Sequence, residues 1–65
     1  MATPIIVHPP DEHGSRRVDV TGIHVGRAFG RQDVEEFARR SGFENLDITD
    51  PRMVEWRGGG PEAWG

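Results

Sequence analysis

Asp33-Val34-Glu35-Glu36-Phe37-Ala38-Arg39-Arg40-Ser41-Gly42-Phe43 carries helix signals at both ends and along one face. Asp33 is an N-cap residue type, because its carboxylate can accept from the unpaired N–H groups of a first helical turn, and Glu36 follows at capping-box spacing. Val34, Phe37, Ala38 and Ser41 recur at i, i+3, i+4 and i+7, which gathers them on one face. Gly42 supplies the left-handed residue that ends a helix, and Phe43 can fold back onto Ala38 as in a Schellman turn. The spacing therefore predicts a helix over 33–41. Its outer face offers two acid-to-base pairs at i, i+4, Glu35 with Arg39 and Glu36 with Arg40.

Upstream of the helix the pattern changes period. Residues 16–21 alternate, with Val18 and Val20 pointing one way and Arg17, Asp19 and Thr21 the other, the signature of a half-buried strand. Pro4-Ile5-Ile6-Val7-His8 is β-branched and closed by Pro9-Pro10, so it reads as a first strand paired antiparallel across the 9–15 loop. Ile23-His24-Val25 resumes the alternation after Gly22, which is either a bulge in one long strand or, the favoured reading, the bend into a third. Downstream, Leu46 and Ile48 flank Asp47 as an extended segment. Asp50-Pro51 either caps a helical turn or precedes a strand bearing Val54 and Trp56, with the strand preferred. Residues 58–65 form a Gly/Pro-rich tail ending in Trp64, beyond a single domain over 1–57.

The expected fold is α+β: a small antiparallel sheet from 4–8, 16–21 and 23–26, joined by 52–56, with one helix on one face. The expected core is Ile5, Val7, Val18, Val20, Ile23, Val25, Phe29, Val34, Phe37, Ala38, Phe43, Leu46, Ile48, Val54 and Trp56. A chain of 65 residues buries only about 60% of its unfolded surface, so such a core is thin. With no cysteine, disulfides, thiolate metal sites and cysteine nucleophiles are excluded together.

Function is read mostly by elimination. The chain lacks a long apolar run and a basic-then-apolar leader pattern, so a cytoplasmic protein with no membrane contact is expected. Net charge is −3, and all eight basic residues are arginine, which codon bias explains more simply than arginine chemistry does. Arg16, Arg17, Arg27 and Arg31 fall in the basic middle of the chain and are candidates for phosphate contacts. The overall acidity counts against nucleic acid as the partner. His8, His13 and His24, with Asp11 or Glu12, fit no tight metal-ligand spacing, although His8 and His24 can meet on the sheet's outer face. Gly22, Gly26 and Gly30 precede the helix without a phosphate-loop or dinucleotide pattern.

The closing run Val54-Glu55-Trp56-Arg57-Gly58-Gly59-Gly60-Pro61-Glu62-Ala63-Trp64, after Asp50-Pro51-Arg52, adds a further signal. Together with the Asp33-Val34-Glu35-Glu36-Phe37 helix start, it resembles short uncharacterised proteins of high-GC, actinomycete-type bacteria across most of residues 16–64. That resemblance implies a source, and no activity, cofactor or site residue. What remains is a non-enzymatic interaction or regulatory module, without cofactor or metal, that binds a protein partner or a second copy of itself. Trp64, Trp56, Arg17 and His24 are the partner-binding candidates, with Trp64 either an aromatic anchor or a lid folded back over the sheet.

Overall fold

The structure is a computed structural model that describes residues 3–64. Four strands and one helix follow in the order β1 (Ile5–Pro10), β2 (Arg16–Val20), β3 (Ile23–Ala28), α1 (Arg31–Arg40) and β4 (Val54–Trp56). The sheet order is β3-β2-β1-β4, and α1 lies across β3 and β2. This is the expected α+β class, with one departure in strand direction. β1–β2 and β2–β3 are antiparallel hairpins, but β4 pairs parallel to β1, so the sheet is mixed. The chain leaves β3 at one edge, returns through α1 and the 41–53 segment, and reaches the opposite edge running in the direction of β1. Parallel pairing needs a long crossover of this kind.

The core consists of Ile5, Val7, Val18, Val20, Ala28, Val34, Ala38, Ile48 and Val54, with Phe37, Phe43, Leu46, Met53, Trp56 and Trp64 packed around it. Three expected core residues lie outside it. Ile23 and Phe29 are each 65% exposed, and Val25 is 37% exposed. The reason for Val25 is a bulge: Val18 pairs with Gly26 and Asp19 with His24, which leaves Val25 as the extra residue. The bulge also shifts the phase of β3, so that Ala28 turns inward. Ile23 pairs with Val20 at the start of β3, an edge strand with a neighbour on one side only. Phe29 belongs to the connector into α1.

The helix begins two residues before Asp33. Gly30 is the N-cap, in an extended conformation, and it makes no side-chain cap bond. Asp33 instead occupies the third helical position, and its Oδ2 accepts at 2.8 Å from the N–H of Phe29, the residue before the N-cap, one position earlier than in a capping box. At the other end the expected closure is present: Phe43 N–H donates to Ala38 O at 2.9 Å and Gly42 N–H to Arg39 O at 3.1 Å, with Gly42 at φ +95°. Of the two expected outer ion pairs, Glu36 with Arg40 is present, while Arg39 joins it on Glu36 instead of pairing with Glu35.

Residues 46–48 do not form an extended segment. Asp47 accepts from the Thr49 N–H and hydroxyl, and Asp50 accepts from the Arg52 N–H, so two side-chain-closed turns occupy this stretch. Both readings of Asp50-Pro51 hold in sequence: Met53 and Val54 N–H groups donate to Asp50 O in one helical turn, and β4 starts at Val54.

Gly26 couples the sheet to the helix. Its φ is +155°, and a Cβ placed there would lie 2.8 Å from Cζ of Phe37. Gly26→Ala is therefore expected to lower stability by about 1–3 kcal/mol, through backbone strain and displacement of the Phe37 ring. Urea unfolding monitored by circular dichroism measures this. A change below about 0.5 kcal/mol, the range of an inert surface substitution, would show that the ring moves freely.

Candidate functional site

Two constellations emerge from the strands, one on each face of the sheet. The first is built on Arg16, which period-two alternation places in phase with Val18 and Val20 on the helix-covered side. Its side chain is fully buried. Nε donates to His8 O at 2.8 Å. Nη1 donates to Gly60 O at 2.8 Å and Ala63 O at 2.7 Å, and Nη2 to Arg57 O and Gly59 O, both at 2.8 Å. Five N–H groups thus meet five backbone carbonyls, the full donor capacity of a guanidinium. Burial pushes the pKa of Arg16 down, and the nearby charge of Glu62 opposes that shift.

Two indoles complete the enclosure. The guanidinium carbon lies 5.1 Å from the Trp56 ring centroid and 5.5 Å from that of Trp64, within cation–π range. The rings meet edge to face, with centroids 6.2 Å apart and planes at 85°. Each indole N–H is satisfied locally: Trp56 Nε1 donates to Ile48 O at 2.8 Å and Trp64 Nε1 to Pro61 O at 2.6 Å. Residues 57–64 therefore wrap around Arg16. Both tryptophan candidates face inward here, and Trp64 takes the lid position rather than that of a free anchor.

The second constellation lies on the open face. Asp19 of β2 stands between His8 of β1 and His24 of β3, as the two histidines' outward phase suggested. His8 Nε2 is 2.8 Å from Asp19 Oδ2, while His24 Nδ1 and Arg17 Nε are each 3.5 Å from Oδ1. Oδ1 is buried without a hydrogen bond. Arg17 and His24, the other partner-binding candidates, are thus exposed and neighbours of one carboxylate. His13 stands apart beside Glu12. Among the described residues no group of three or more His, Cys, Asp or Glu side chains is placed to hold a metal ion.

Of the four arginines considered for phosphate contacts, Arg16 is inside. Arg17 neighbours Asp19, and Arg27 Nη1 donates to Asp11 Oδ2 at 2.8 Å, while Arg31 is exposed at the start of α1. Asp11 also organises the 11–15 loop, accepting from the Ser15 hydroxyl at 2.6 Å and from the N–H groups of Ser15 and His13.

These carboxylates give a pH prediction. The Ser15 hydroxyl, helped by backbone N–H groups and Arg27, holds the Asp11 carboxyl down to about 2, and the His8 hydrogen bond lowers that of Asp19. Both groups bind protons more tightly in the unfolded chain, where a carboxyl titrates near about 4. Their stabilisation is complete above that range and is lost as pH falls through the lower folded values. The melting temperature is expected to fall steadily from about pH 5 towards pH 2. Asp11→Asn should flatten part of that slope, and an unchanged slope would remove Asp11 from the account.

The third feature is apolar. Ile23, Val25 and Phe29 are the exposed large hydrophobic residues among those described, and all fall within one seven-residue stretch. Sequence reasoning missed them as surface because they continue an inward pattern; the signal that could have flagged them is Gly26, a bulge residue type in mid-strand. No protein-family model matches the chain, and no similar curated protein or solved structure is found. No helix among the described residues is long and apolar enough to cross a membrane.

Proposed function

We propose that this chain is a non-enzymatic interaction module that regulates or adapts a protein partner, or a second copy of itself, through the apolar stretch Ile23, Val25 and Phe29. The observation that carries the reading is the exposure of these three residues, while the other large apolar side chains described are buried or half-buried. A domain this small gains by covering every apolar group it has, so leaving three exposed along one edge strand and its exit favours a surface kept for contact. The bulge at Val25 breaks the regular outward ladder of β3, so the contact is made by side chains rather than by adding a strand. The histidine–aspartate group on the open face offers no adjacent nucleophile, which gives a catalytic reading little support. An arginine-mediated nucleic-acid role has lost Arg16 to the interior.

The test is site-specific photocrosslinking in the cells the chain comes from. Benzoylphenylalanine at position 23, 25 or 29 is expected to give a discrete adduct, and the same probe at exposed Arg52 none. Phe29→Glu should abolish the adduct from position 23 while changing stability by less than about 0.5 kcal/mol. No adduct at any of the three positions, or equal labelling at Arg52, would refute the reading.

A further inference from the structure

The enclosure around Arg16 has the composition of a receptor. Its walls are the carbonyl oxygens of His8, Arg57, Gly59, Gly60 and Ala63 at 2.7–2.8 Å, and its faces are the Trp56 and Trp64 rings. No carboxylate makes an ion pair with the guanidinium, and the charge of Glu62 acts on it only from outside contact, so direct contact rests on N–H donors and ring faces. A planar, weakly hydrated cation with its donors in one plane satisfies both, whereas an ammonium or alkali ion is strongly hydrated and lacks the fork. Four of the five carbonyls come from residues 57–63, and Trp64 follows directly. The ligand and the closing segment therefore assemble together.

We propose that residues 57–64, with His8 O and Trp56, form a guanidinium-selective binding site, filled in the native chain by Arg16 and opened to free guanidinium-class cations by Arg16→Ala. The seated guanidinium is what orders residues 57–64 against the sheet. A free alkylguanidinium supplies the same donors once the tether is cut.

The experiment uses the full-length Arg16→Ala chain, with methylguanidinium, guanidinium, ammonium, potassium and tetramethylguanidinium compared at equal ionic strength. Concentrations stay at or below about 50 mM, far under the molar range in which guanidinium denatures proteins. Methylguanidinium and guanidinium are expected to raise the melting temperature of the variant in a saturable manner. Ammonium, potassium and tetramethylguanidinium, which lacks most of the N–H donors, are expected to leave it flat. The native chain, its site already occupied, should show no stabilisation by any of the five. If Arg16→Ala is unfolded at low temperature, the readout becomes recovery of the folded circular-dichroism spectrum, with the same order of ligands. Arg16→Ala combined with Trp64→Ala should lose the response. Equal responses to all cations, stabilisation by potassium alone, or a guanidinium effect identical in the native chain would each overturn the proposal.

Discussion

Replacing Arg16 by methionine is expected to cost about 3–5 kcal/mol of folding stability, because five carbonyls lose their donors at once and each buried acceptor left unsatisfied costs about 1–3 kcal/mol. The whole domain has only about 3–10 kcal/mol at its size, so the variant should be largely unfolded near body temperature. Methionine fills comparable space and removes the cost of burying a charge. It also strips the partner from five carbonyls that stay behind in an enclosed site, and an unsatisfied buried acceptor costs about 1–3 kcal/mol before water relaxes the figure. Arg16→Lys should fall between the two, since an ammonium keeps the charge and three donors but cannot span the ring. Urea unfolding followed by tryptophan fluorescence reads this directly, because both tryptophans of the chain lie against the guanidinium. A methionine variant within about 1 kcal/mol of the native chain would mean that the carbonyls reach water on their own.

Arg16 is also where sequence reasoning fell short, for an instructive reason. Its phase was legible: residue 16 shares the inward side with Val18 and Val20. Charge overrode phase, because arginine is almost never fully buried without a partner, and its partner is not a side chain. Backbone carbonyls leave no mark in a sequence except indirectly, here as a glycine run that cannot form regular structure and so keeps its carbonyls free. The helix was legible for the opposite reason. Its C-terminal closure depends on Gly42 and Phe43, whose local chemistry is written in residue type. The helix start moved because a featureless residue, Gly30, took the cap and Asp33 worked backward from inside. β4 was legible as a strand but not in direction, since direction follows from the path of the chain over the sheet rather than from its own three residues. The polar cluster at Asp19 was half visible, because outward phase brought His8 and His24 together without indicating the carboxylate between them.

Trp64→Ala is expected to cost about 2–4 kcal/mol, below the full range for a buried tryptophan because the ring is only half-buried. The loss has three parts: apolar area, the edge contact to Trp56, and the cover over Arg16. The third makes the effect conditional. Without the guanidinium the ring has little to cover, so in an Arg16→Met background the same substitution should cost at least about 1 kcal/mol less, the size of coupling expected within one network. Additive costs in that cycle would mean that Trp64 packs on the sheet independently of Arg16. The comparison with Phe29 then separates scaffold from interface. Phe29 is 65% exposed and its side chain lies outside the core, its one bond to the helix start being made by the backbone N–H, so Phe29→Glu should spare stability and remove partner contact. Trp64→Ala should do the reverse, weakening contact only in proportion to the fraction of chain unfolded. If Trp64→Ala instead abolished contact in a chain still folded, the aromatic anchor would belong to Trp64 and the assignment of the surface to β3 would fail.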